Sequence, residues 1–133
     1  MSDFGTYAGN KVLELLVGKT AFATPTAYIF LSTADPGDSG AGMVEPVGLG
    51  YARVTTAGSD WTAASAESIS NATDLTFPAA SGGSWGLITH FGLIDTVSGA
   101  GNMLAYKALS SGAQVDDTIV FHFPVGSIVF SIV

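Results

Sequence analysis

Residues 37–42 read GDSGAG, and Gly37-Asp38-Ser39-Gly40 matches the loop around the nucleophilic serine of trypsin-like proteases. A serine in that setting attacks only when a histidine takes its proton, an aspartate orients the histidine and backbone amides hold the oxyanion. In that order of residues the histidine and aspartate precede the serine. Here both histidines, His90 and His122, follow Ser39, and 133 residues are too few for the two β-barrels that carry such a site. A convergent order, using His90 or His122 with Asp95, is the remaining route to a triad. Asp35-Pro36-Gly37 is a turn signal, and Gly37, Gly40 and Gly42 favour an irregular loop. Ser39 is therefore read as a loop residue, no residue is assigned a catalytic role, and the chain is read as a non-enzyme.

Other chemistry is equally thin. Asp35, Asp38 and Glu45 offer carboxylate oxygens to a calcium ion, but their spacing departs from the D-x-[DN]-x-[DN]-G loop, so they read as solvated carboxylates. His90 and His122 lie in the apolar runs THF and FHF, where structural histidines are the simpler reading than metal ligands. No G-x-G-x-x-G stands between a strand and a helix, and there is no phosphate-binding G-x-x-x-x-G-K-[ST]. Neither a cofactor nor a metal is assigned. Trp61, Trp85, Tyr28, Tyr51 and Tyr106 suit either a sugar or protein contact or a core, and composition alone leaves both open.

Charge narrows the partners. Lys11, Lys19, Arg53 and Lys107 face eleven acids, a net charge of -7. Binding through phosphates needs clustered cations, so nucleic acid and anionic membranes are disfavoured. MSDFGTYAGNK lacks the pattern of a secretory signal, and the apolar stretch from Thr118 to Val133 is too short for a span of about 20 residues. Charged residues make up only 11% of the chain, against roughly 25% in soluble domains. A surface so poor in charge is suited to packing against other subunits. With no cysteine, core packing alone must hold the fold.

The elements follow from periodicity. Phe4, Tyr7, Ala8, Val12, Leu15 and Leu16 recur at helical spacing after a Ser2 or Asp3 cap and before Gly18, predicting a helix or arm over residues 1–18. Gly5 and Gly9 weaken its first turns, which are then expected to order on contact with a neighbour. Strand-like runs follow at 26–33, 51–56, 67–77, 86–96, 102–109, 117–123 and 127–133. Ala27–Leu31 and Leu87–Ile94 lack clean alternation and are predicted to be central, and the glycines of VSGAGN predict a hairpin joining 86–95 to 102–109. Pro78 and Pro124 belong at edges or bends. The expected fold is mainly β, a single β-sandwich or jelly-roll-like domain over 19–133 with one short N-terminal helix or arm.

FLSTADPGDSGAGMVEPVGLGYARV (30–54), Trp61, FPAASGGSWGLITHFGLID (77–95) and GNMLAYKAL (101–109) occur in an order that resembles a family of small tailed-bacteriophage virion proteins. Gly92, Ile94 and Lys107 depart from its pattern. Members are described as tail fiber or minor tail proteins, and similar small β proteins decorate capsids. The resemblance implies a virion structural protein, assembled in the host cytoplasm. The main expectation is a capsid decoration, or cement, protein bound to the major capsid protein as a homo-oligomer, a trimer by analogy with other decorators. The alternative is a tail fiber or minor tail protein with a receptor-binding or adhesive role, its partners being tail proteins. Candidate subunit or partner contacts are Phe4, Tyr7, Asp38, Ser39, Glu45 and Arg53, with Arg53 placed to form a two-point carboxylate pair within or between subunits.

Overall fold

A computed structural model describes residues 2–133. Helix α1 (Thr6–Leu16) is followed by strands β1 (Tyr28–Ser32), β2 (Val54–Thr55), β3 (Ser68–Ser70), β4 (Leu75–Thr76), β5 (Gly86–Ile94), β6 (Met103–Val115), β7 (His122–Phe123) and β8 (Val129–Ser131). The chain is mainly β. One four-stranded antiparallel sheet runs in the order β2-β1-β5-β6, and β3-β8 and β4-β7 form two-stranded ribbons. The apolar β1 and β5 occupy the middle of the large sheet, as their lack of alternation predicts. The expected hairpin joins β5 to β6, with Ile94 opposite Met103.

The large sheet faces the two ribbons across the main core, a sandwich-like layering. Ile29, Leu31, Ile88, Phe91, Ala105 and Val115 from the sheet meet Leu75, Phe123 and Phe130 from the ribbons, with Phe77, Trp85 and Ile128 closing the gaps. The Phe91 ring lies 4.9 Å from Phe123 and 5.7 Å from Phe130, so one β5 side chain ties both ribbons to the sheet. Each such fully buried side chain stabilises by roughly 1.5–3 kcal/mol. On the opposite face Phe30, Ile94 and Met103 form a smaller cluster, partly covered by Tyr28, Met43 and Tyr106.

Gly92 is required by that second cluster and by the β6 main chain, since a Cβ there would collide with Ala105 O as well as with Phe30. Phe30 and Gly92 are paired in the β1–β5 register, and a Cβ at Gly92 would stand 2.7 Å from the Phe30 ring. The small residue lets Phe30 lie across the strand.

The expected strand 51–56 is strand only at Val54–Thr55, with Arg53 left in the loop before it, and three further strand expectations need correction. The run 67–77 is two strands that pair with different partners, β3 with β8 and β4 with β7. Asn71 separates them: fully buried, its Nδ2 donates to Thr73 O at 2.9 Å and Pro124 O at 2.8 Å, while its Oδ1 accepts from Ile128 N at 2.9 Å. The run 102–109 continues to Val115, with the register to β5 broken between Ile88 and His90. The run 117–123 is strand only at His122–Phe123, because Thr118 adopts φ 72° and turns the chain.

The helix also differs from its pattern. Its N-cap is Gly5, with no side-chain cap bond, and neither Ser2 nor Asp3 serves. Phe4 lies outside it and bridges Ala105 on β6. Residues 3–5 run beside β6: Gly5 N donates to Leu104 O at 2.9 Å and Tyr106 N donates to Asp3 O at 3.1 Å. Gly5 is required there, since a Cβ would stand 2.9 Å from Met103 O. Of the predicted apolar face only Ala8 is buried, and Leu15 and Leu16 are exposed.

Candidate functional site

The glycine-rich loop after β1 carries four of the six predicted contact residues, Asp38, Ser39, Glu45 and Arg53, and two of its anchor points are made by them. Near its start, Asp38 serves the helix and the sheet together. Its carbonyl accepts from Thr6 N at 2.8 Å, satisfying a free amide of the first helical turn. Its Oδ1 accepts from the Tyr106 hydroxyl at 2.6 Å. That bond to a carboxylate pushes the Tyr106 phenol up to about 12. Ser39 is exposed at the tip, and its Oγ accepts from Ala41 N at 3.3 Å in a local turn.

The second point is a buried polar cluster. Arg53, with its side chain only 3% exposed, donates to Glu45 through Nε at 3.0 Å and through Nη2 at 2.6 Å. Nη1 donates to Thr96 O at 2.9 Å and Oγ1 at 3.0 Å, and Nη2 also donates to Gly99 O at 2.9 Å. The two-point pair therefore forms within the chain. The Tyr51 hydroxyl donates to Glu45 Oε2 and accepts from Leu31 N at 3.0 Å. Burial first, and then this bond to the carboxylate, hold the Tyr51 phenol far above its usual range. The cluster ties the loop, the β5–β6 hairpin loop and β1 into one corner.

Phe4 and Tyr7 make other contacts. Phe4 lines an apolar cleft of about 250 Å³ with Ile69, Phe130 and Ile132. Tyr7 meets Phe22 edge to face at 6.3 Å, and the Lys11 ammonium sits 5.7 Å over its ring. Asp38, Glu45 and Arg53 thus direct their polar groups to partners inside the chain, whereas Ser39 directs its own to solvent and its own turn.

The histidines are elsewhere. His90 Nδ1 lies 2.9 Å from the Thr89 hydroxyl on β5, and His122 Nδ1 lies 2.9 Å from Asp74 on the β4–β7 ribbon. The Thr76 hydroxyl, followed by His122, lowers the Asp74 carboxyl below its ordinary value. Ser39 shares no hydrogen bond with either imidazole. Among the described residues no three His, Asp or Glu side chains converge as a metal site would need.

The aromatic residues left open by composition are placed by the fold. Trp85 is buried, and its Nε1 donates to Leu49 O at 2.8 Å. Trp61 packs on Phe130, its Nε1 donating to Thr56 Oγ1 at 3.2 Å. Tyr28 and Tyr106 cover the smaller cluster. Asn71 went unmarked because a polar residue between two apolar runs reads as an exposed turn. The length of 67–77, longer than an ordinary strand, was the available signal.

Asp3 and Ser131 close the fold on itself: Asp3 N donates to Ser131 O at 2.8 Å, and Ser131 N donates to Asp3 Oδ2 at 2.8 Å. A family model described as podophage GP4 fiber I protein gp80 matches residues 3–131, from one of these residues to the other. The chain belongs to that family. The match includes the helix and all eight strands, and it makes the chain a phage virion structural protein of the fiber type. A search among curated proteins gave no match. Within the gp80 family frame, the Glu45–Arg53 corner and the Asp38 contacts hold the loop that joins β1 to β2, together with the bonds of Val44 to Ser32 and Thr33 and of Leu49 to Trp85. No helix among the described residues is long and apolar enough to cross a membrane.

Proposed function

We propose that the protein is a fiber component of a tailed-phage virion that acts by contact, as a homo-oligomer joined to other tail proteins. The observation that carries this reading is the fiber-family match over residues 3–131. It favours the tail fiber alternative over capsid decoration. A contact role is supported by the charge-poor exterior and by the way the polar side chains are engaged. Arg53 and Glu45 satisfy each other, and the Ser39 hydroxyl accepts from Ala41 N in its own turn. The acidic net charge suits neither packaged DNA nor an anionic lipid surface.

Immunogold labelling of purified virions tests the location, with label expected on the tail in few copies. Dense label over the whole head would return the reading to capsid decoration. Incubation with a serine-reactive phosphonate tests the non-enzymatic part, and covalent labelling of Ser39 would defeat it.

A further inference from the structure

The outward face of α1 is apolar, and no part of the described chain covers it. Leu13 is 63% exposed, Leu16 74% and Val17 78%, while Ala8 is the buried residue of the helix. An eleven-residue helix is too short to be stable alone, and an amphipathic helix ordinarily turns its apolar stripe inward. Here the stripe points away from the sheet.

The spacing of that stripe has a meaning. Thr6, Gly9, Leu13 and Leu16 step by three, four and three residues, the seam along which two helices interlock. The flanking Asn10, Val12 and Val17 are uncharged. The charged residues of the helix lie off the seam, Lys11 over the Tyr7 ring and Glu14 bonded by the Thr20 hydroxyl at 3.0 Å.

Gly9 is the second and independent observation. Its φ is not in the left-handed region, and a Cβ placed on it would meet nothing within 4 Å. Glycine inside a helix costs about 1 kcal/mol relative to alanine, and nothing within one copy requires it. A second helix crossing at Gly9 would, because the missing side chain lets the two backbones approach.

We propose that α1 is a self-association element, its Thr6-Gly9-Leu13-Leu16 seam packing against the same seam of a second copy of this chain. Charge selects that occupant. A symmetric contact sets each residue near its own copy, so a charged seam would repel itself, and this seam carries no charge on a protein of net charge -7. Long-range repulsion between two acidic copies is screened by salt, so the association strengthens as salt is raised. A seam of four residues is a small contact, so assembly is concentration-dependent. This inference rests on the homo-oligomeric part of the proposed function and is independent of the location on the virion.

Sedimentation velocity of the full chain over a range of concentration and salt tests it, with circular dichroism reporting the fold. Wild type is expected to associate, more so at high salt, and Leu16→Glu to weaken the association about 30-fold or more. Gly9→Leu separates the contact from mere apolarity. Leucine favours a helix and has open space at this position, so the isolated fold keeps its stability. The proposal expects association to be lost, whereas a loose apolar contact would be strengthened. Association unchanged by Leu16→Glu, or increased by Gly9→Leu, overturns this contact and leaves the homo-oligomeric reading standing. A wild-type monomer at every concentration and salt overturns both.

Discussion

Arg53 grips Glu45 at two points, Nε to Oε2 at 3.0 Å and Nη2 to Oε1 at 2.6 Å, while the same guanidinium reaches Thr96 and Gly99 in the β5–β6 hairpin loop. Both residues lie in the loop between β1 and β2, eight apart in sequence, and the guanidinium links that pair to the β5–β6 hairpin loop.

Glu45→Gln would leave the guanidinium buried beside a neutral amide. Breaking a buried pair from one side costs about 3 kcal/mol, so the urea midpoint and melting temperature of this variant should fall clearly below wild type. An unchanged midpoint would mean that solvent reaches Arg53 and compensates its charge.

The two bonded tyrosines make stability depend on alkaline pH. In an unfolded chain a tyrosine ionises near pH ~10. In the folded protein Tyr106 holds its proton to about 12, through its bond to Asp38, and Tyr51 holds its proton higher still, through burial and Glu45. Raised values favour the folded state fully below the unfolded value, and that contribution is lost as pH rises toward and through the folded values. Urea titrations at rising pH should therefore show stability falling above pH ~10, by about 1.4 kcal/mol per pH unit for Tyr51. Tyr51→Phe should flatten that fall, and an equal slope in the variant would count against the assignment.

Gly92→Ala adds one methyl group where Phe30 crosses β5, with the ring 2.7 Å from the new atom. Overpacking at such a site costs about 1–3 kcal/mol. The expected signature is a lower melting temperature with a shifted near-ultraviolet aromatic signal. The same alanine at Gly9, which meets nothing within 4 Å, should leave the melting temperature of dilute protein equal or higher.

Asn71→Ala would orphan the Ile128 amide and remove the donors to Thr73 O and Pro124 O. Leaving buried groups unmatched costs about 1–3 kcal/mol each. Hydrogen exchange should rise first at Ile128 and its neighbours in the turn between β7 and β8, before the large sheet is affected.

The central strands and the hairpin were legible in the sequence because local patterning decides them. Ile29–Leu31 and Ile88–Ile94 are apolar on both faces wherever the rest of the chain goes, and SGAGN has the composition of a tight loop. Long-range pairing was less legible. Nothing near Asn71 reveals that its side chain will meet residues more than fifty positions away, so 67–77 reads as one strand. The helix is legible from its period but its inward face is not, since Phe4, Leu15 and Leu16 carry the apolar period while Gly5 and Ala8 are the buried positions. Of the candidate contacts, the two-point chemistry of Arg53 could be read from its type, whereas its partner had to come from the fold.

The reciprocal bonds between Asp3 and Ser131 have a mechanical consequence. Tension applied through those two residues is borne first at that bridge, in the N-terminal corner beside β6 and β8, and does not pass along the length of the sheet. Anything joined before residue 3 or after residue 131 would leave from the same corner. A pull on one such attachment against the other would load that corner first, and would reach the Phe91-centred core next through Phe130.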